Sequence, residues 1–173
     1  MVAKRIQEGS YGPDDVVMPG DPIETGRLEG VLGFHLRMAS VAFYQDFSAA
    51  MSEIGLTQKQ FAVMELIAQN PGSSQIDLAA ELSMDRATMM ALINRLQDRN
   101  FVERRPSPFD GRRQQLLLTD HGHAVLAASR EIIAAHETRF TELFTDRELE
   151  TFISFLKRIY NSSAIKRNSL GSS

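Results

Sequence analysis

At 173 residues the chain forms one domain, or a small domain with extensions, and is long enough to bury a real core. It contains no cysteine, which excludes disulfides, thiolate metal sites and thiol redox sensing together and fits a cytoplasmic protein. Its formal net charge is −3, the wrong sign for a chain basic throughout, and no run of about 18 apolar residues is present to span a membrane.

Residues 1–26 carry Pro13, Pro19 and Pro22 among Gly9, Gly12, Gly20 and Gly26 without any periodicity, so an irregular arm is expected. Met1 to Gln7 is basic but lacks the apolar core of a signal peptide. A long helix is predicted from about Glu29 to Ile54, with Leu32, Leu36, Ala39, Phe43, Phe47, Ala50 and Ile54 at helical spacing. A second apolar set, Phe34, Met38, Val41 and Ala42, widens the stripe beyond one face, so this helix should be buried between other helices. Gly55 is placed to end it as a left-handed C-cap.

Thr57 then N-caps a predicted helix from Gln58 to Gln69, with Phe61, Met64, Leu66 and Ile67 turned inward, and Asn70-Pro71-Gly72 breaks it. Gln75 to Leu82 reads as a short helix with Ile76, Leu78, Ala79 and Leu82 on its buried side. Ser83-Met84 is a turn, and Asp85 N-caps a helix running to about Arg99. On that helix Met89, Leu92, Ile93 and Leu96 share the buried arc. Ala87, Met90, Ala91, Asn94 and Asp98 lie opposite, with Arg86 and Arg95 on the flanks.

Phe101 to Arg105 and Arg112 to Thr119 read as two strands around a turn-rich Pro106 to Gly111, the second centred on Leu116-Leu117-Leu118. Helix, turn, helix and basic hairpin in this order make a winged helix-turn-helix, whose second helix is expected in the DNA major groove and whose wing beside the adjoining minor groove. Thr119-Asp120 opens a helix to about Phe144, buried through Val125, Leu126, Ile132, Ile133, Phe140 and Leu143. Thr145 with Glu148 is a capping box for the last helix, whose buried side is Leu149, Phe152, Ile153, Leu156, Ile159 and Tyr160. The polar tail from Asn161 should fray.

The predicted fold is therefore mainly α, a winged helix-turn-helix with N- and C-terminal dimerisation helices. Its parts are an arm (1–26), dimerisation helices (27–55 and 120–162), a DNA-binding winged unit (56–119) and a flexible tail (163–173). The first, fifth and sixth helices carry more apolar surface than the winged unit can cover, which predicts an obligate homodimer. The partition of charge agrees with a local reading head. Residues 1–83 hold 5 basic and 11 acidic side chains, residues 84–115 hold 7 arginines against 4 acids, and residues 116–173 hold 7 of each. Phosphate contact needs a basic surface, not a basic chain.

Asn94 can pair bidentately with adenine and arginine with guanine, while Ala87 and Ala91 let the helix approach closely and offer methyls to thymine. Arg95 suits either a base or an acid of the wing, and Thr88 either DNA or the backbone at the helix start. Ser74 and Gln75 open a helix N-terminus, which favours anions. Arg104, Arg105 and Arg113 read as phosphate neighbours.

An enzyme finds little support. The four histidines, His35, His121, His123 and His136, include no His-x-x-x-His pair, and His121 and His123 point to different helix faces. A glycine-rich phosphate loop and a nucleophile elbow are missing. No metal site and no cofactor are expected. The alternative to a DNA reader is a winged helix used for protein contacts alone.

Over about Leu32 to Tyr160 the chain resembles the MarR family of bacterial transcriptional regulators. The resemblance is carried by Gly55-Leu56-Thr57 with Gln60-Phe61, Pro71-Gly72 with Ser74-Gln75 and Leu78-Ala79, and Asp85-Arg86-Ala87-Thr88 with Arg95-Leu96. Asp110-Gly111-Arg112-Arg113 at the wing tip and Leu118-Thr119 with Gly122 complete it. It implies a homodimeric repressor that binds a pseudo-palindromic operator and is released by a small ligand, with many relatives answering to aromatic acids. It also implies that Asp110 orients Arg112 into the minor groove, where a narrow A·T-rich tract favours arginine. The implied effector wall is Phe34, His35, Arg37, Met38 and Val41 of the first helix with Phe61 and Met64 of the second. Arg37 suits a carboxylate, from a ligand or from an acid elsewhere in the dimer, and His35 a phenol, a carboxylate or a structural partner. An aromatic carboxylate or its coenzyme A thioester is the expected effector.

Overall fold

The computed structural model describes residues 23–107 and 114–162. The chain divides into two units, residues 1–41 and 42–173; the wing-tip residues Asp110, Gly111, Arg112 and Arg113 lie outside the described residues.

In the first unit a 3-10 turn, Gly26–Gly30, precedes α1 (Leu32–Ala50). The expected start at Glu29 is corrected: Gly26 takes φ +52° and Val31 is extended, which separates turn from helix. The Glu29 carbonyl accepts a hydrogen bond from His35 Nε2 at 2.8 Å in place of a helical amide. Within this unit Leu28, Leu32 and Met38 are exposed.

The second unit holds the rest of α1, which ends at Ala50 and not at Ile54. Turns follow, closed by Gly55 at φ +65° with its N–H on the Met51 carbonyl. Then come α2 (Gln58–Gln69), α3 (Gln75–Glu81), α4 (Arg86–Asp98), β1 (Val102–Pro106), β2 (Gln114–Leu118), α5 (Asp120–Thr141) and α6 (Asp146–Tyr160). Each helix from α2 onward starts on a side chain that caps it: Thr57, Ser74, Asp85, Thr119 and Thr145 each accept from the backbone N–H three residues on. Thr57 with Gln60, Ser74 with Asp77 and Thr145 with Glu148 are reciprocal capping boxes.

Val63, Met64 and Ile67 of α2, Leu78 and Ala79 of α3, Met89, Ile93 and Leu96 of α4, Val102 and Leu116 of the hairpin and Leu126 of α5 form one core. β1 and β2 are antiparallel, with Val102 opposite Leu118 and Arg104 opposite Leu116. The loop before α3 grips β2 on its other side: Leu116 N–H donates to the Ser73 carbonyl and Gly72 N–H to the Leu116 carbonyl, both 3.0 Å. At the start of α5 the chain passes so close to the end of α4 that a Cβ on Gly122 would overlap the Phe101 carbonyl.

Four sets of residues expected inside are outside. On α1, Leu32, Met38, Ala39, Val41 and Ala42 are exposed. Ile76 is exposed, because it lies about 200° round the helix from Leu78. Leu143 is exposed because α5 stops at Thr141 and leaves it in the link to α6. In α6 no residue is buried: Phe152, Ile153, Ile159 and Tyr160 are exposed and Leu149 and Leu156 only half-buried. Phe144 stacks against Phe152 at 5.6 Å between ring centroids, and the rest of that face stays largely exposed.

Candidate nucleic-acid interface

The α3–turn–α4 unit is fixed from below. Ser83 makes the turn at φ +50°, and the next amide, Met84 N–H, returns to the Ala79 carbonyl at 2.8 Å. Asp85 then caps α4, accepting from the Thr88 amide at 2.8 Å and from the Thr88 hydroxyl at 2.6 Å. These two bonds, the hydroxyl foremost, hold the Asp85 carboxyl below the usual carboxylate range. At the far end Asn100 is left-handed (φ +56°), and Phe101 N–H bonds the Leu96 carbonyl at 2.9 Å. Arg99 there donates to the carbonyls of Gly55 and Ile54 and lies 4.4 Å from the Phe101 ring centroid.

With Met89, Leu92, Ile93 and Leu96 buried, α4 turns Arg86, Ala87, Met90, Ala91, Asn94 and Arg95 to solvent as the sequence predicts. Arg95 makes no side-chain hydrogen bond or ion pair among the described residues, whereas the Thr88 hydroxyl is committed to Asp85. Ser74 is half-buried and its hydroxyl serves the capping box, donating to Asp77 at 2.7 Å; Gln75 follows it, half-buried.

The wing strands carry a pattern that the sequence did not reveal. Arg104 donates through Nη2 to Asn94 Oδ1 at 2.7 Å and through Nη1 to Gln97 Oε1, so it faces α4. Arg105 pairs with Glu103 on the other face of β1. Both arginines were expected at phosphates.

The residues expected around an effector fall in both units. In the first, Phe34 is half-buried and meets the His35 ring edge-on at 5.5 Å between centroids, while Arg37, Met38 and Val41 are exposed. In the second, Phe61 is half-buried and Met64 wholly buried in the core. His136, unremarkable in sequence, is enclosed by Phe43, Phe47 and Phe140 and bonded to Asp46. Its place on the buried stripe between Ile132 and Phe140 was the one available signal.

Helix, turn, helix and a two-stranded wing define the winged helix-turn-helix class. A profile of the MarR family matches residues 54–113. The chain is 32% identical over 140 residues to a Thauera aromatica protein named "Putative transcriptional regulatory protein for hcr operon", an alignment spanning 80% of this chain and 84% of that one. The transcriptional repressor CouR, solved bound to a 23-mer DNA duplex, matches with a TM-score of 0.77 and 33% identity over 82% of this chain and 100% of CouR. CouR bound to p-coumaroyl-CoA matches with a TM-score of 0.75 and 32% identity over 82% of this chain and 99% of CouR. The chain belongs to the MarR family and is a transcriptional regulator of that type. Among the described residues no helix is long and apolar enough to cross a membrane.

Proposed function

We propose that this regulator is a homodimeric repressor that binds a pseudo-palindromic operator in double-stranded DNA and leaves it when an aromatic carboxylate or its coenzyme A thioester binds. The observation that carries the DNA-reading part is the division of α4. One side is locked into the core by Met89, Ile93 and Leu96, and the other offers Arg86, Ala87, Met90, Ala91, Asn94 and Arg95 to solvent. Asn94 and Arg95 read base edges; Ala87, Met90 and Ala91 allow close approach; Arg86 and Gln75 position the helix against the DNA backbone, while Thr88 and Ser74, whose donors serve Asp85 and Asp77, fix the starts of α4 and α3. In the wing, Asp110 orients Arg112 into the minor groove and Arg113 serves phosphate.

Pairing of two chains is supported by the exposed apolar side chains of Phe152, Ile153 and Phe155 on α6 and Leu32 and Met38 on α1. Surfaces of this kind mark interaction sites. The ligand class is supported by the likeness to CouR with p-coumaroyl-CoA, and Arg37 is the residue suited to a carboxylate.

The test is a fluorescence-anisotropy titration of a labelled duplex from the DNA flanking the protein's own gene, repeated with an aromatic carboxylate and with p-coumaroyl-CoA. Specific binding that either compound reverses is the expected result. Binding to flanking and random DNA with equal affinity would refute the operator reading, and specific binding that neither compound reverses would refute the ligand class.

A further inference from the structure

Asn94 does not face DNA as a free side chain; it is held from behind by the wing. In β1, side chains alternate between faces. Val102 is buried on the face that carries Arg104, and Glu103 and Arg105 occupy the other. Arg104 is half-buried there and turns its guanidinium toward α4. It spends its guanidinium on α4, donating from Nη2 to Asn94 Oδ1 at 2.7 Å and from Nη1 to Gln97 Oε1. The two acceptors are three residues apart, which sets them side by side on one helix face. A planar fork with fixed donor directions fits such a pair, whereas an ammonium offers one point of charge.

We propose that Arg104 is a positioning residue for sequence reading, which fixes the orientation of the Asn94 amide. This role rests on the proposed base contact of Asn94 and goes beyond it. Arginine has donors only, so the amide oxygen must be the group turned to Arg104, and the amide flip is thereby decided. Both Nδ2 hydrogens are left for solvent or for a base edge that offers an acceptor, such as purine N7, and one oxygen lone pair remains for adenine N6. Without Arg104 the amide can turn over and present oxygen where nitrogen stood. The protein then binds DNA as before and distinguishes bases less well.

The test uses the full chain and a duplex that the wild-type protein enriches from a randomised library, together with all single-base-pair variants of that duplex and random DNA. The proteins are Asn94→Ala, Arg104→Met, Arg104→Lys and the double variant Asn94→Ala with Arg104→Met. Arg104→Met and Arg104→Lys should each cut discrimination about tenfold at the base pair that Asn94→Ala relaxes. Random-DNA affinity should hold in Arg104→Lys. In the Asn94→Ala background, Arg104→Met should change discrimination at that position no further.

Full discrimination in Arg104→Lys overturns the proposal, because charge alone would then suffice. So do additive effects in the double variant, and so does an equal loss on enriched and random DNA with a shallower salt slope, the mark of a phosphate contact. If Asn94→Ala relaxes no base pair, the base-reading itself fails; if nothing is enriched, the operator reading fails. A readout without DNA covers variants that fold poorly: the side-chain amide resonances of Asn94 should shift in Arg104→Lys, and unmoved resonances overturn the contact.

Discussion

His136 on α5 and Asp46 on α1 are joined across 90 residues of sequence, Nδ1 to Oδ2 at 2.6 Å, with the imidazole only 1% exposed. Phe43, Phe47 and Phe140 surround the ring at 5.3–5.8 Å between centroids. Arg139 donates to the second carboxylate oxygen at 2.8 Å. The carboxylate thus ties α1 to α5 through two partners.

The bond from His136, followed by that from Arg139, holds the Asp46 carboxyl below its ordinary 3.8. A group depressed in the folded state contributes stability that is present above its unfolded pKa and lost as pH falls through the folded one. Urea midpoints of wild type and Asp46→Asn should therefore differ most near neutrality and converge below about pH 4. A gap that stays constant down to about pH 3 would contradict this.

Gly122→Ala should be among the most damaging small substitutions in the chain. The added carbon would strike the Phe101 backbone, which cannot swing aside as a side chain can. Overpacking of this kind costs about 1–3 kcal/mol or more, visible as a lower thermal midpoint. An unchanged midpoint would mean that the approach of α5 to the end of α4 is looser than described.

The pairing proposed above predicts that wild type sediments at twice the 19.4 kDa of one chain. Phe155→Glu, together with Ile153→Glu, should yield monomers that keep the helical spectrum, since neither side chain is buried within the chain. Monomeric wild type at micromolar concentration would refute the pairing, and a variant that stays dimeric would clear this face of α6.

Asp110→Ala separates two accounts of the wing by sign. Removal of a negative charge tightens DNA binding if the wing is merely a basic patch. Removal of a group that orients Arg112 weakens it. The expected outcome is weaker operator binding at fixed salt, and tighter binding would eliminate the orienting role.

What the sequence disclosed was local. Thr57, Ser74, Asp85, Thr119 and Thr145 announce helix starts because a cap and its amide are three residues apart. The buried arc of α4 follows from 3.6-residue spacing alone. Hidden were pairings that exist only after folding: Asp46 with His136, Arg130 with Glu65, and Arg104 with Asn94. An arginine in a strand names no partner until the face it occupies is known, so Arg104 read as a phosphate contact. Ile76 misled because a seven-residue helix contains too few positions to define an arc.

The grip of Gly72 and Ser73 on Leu116 bears on how such a reader lets go of DNA. Folding the wing away from α3 would break those two backbone bonds, at about 0.5–1.5 kcal/mol each, and pull Leu116, 1% exposed, out of the core. A shift of the whole head breaks neither. On the release proposed above, the head is therefore expected to keep its shape, and amide exchange at Leu116 should be as slow in the free protein as at the core positions of α4.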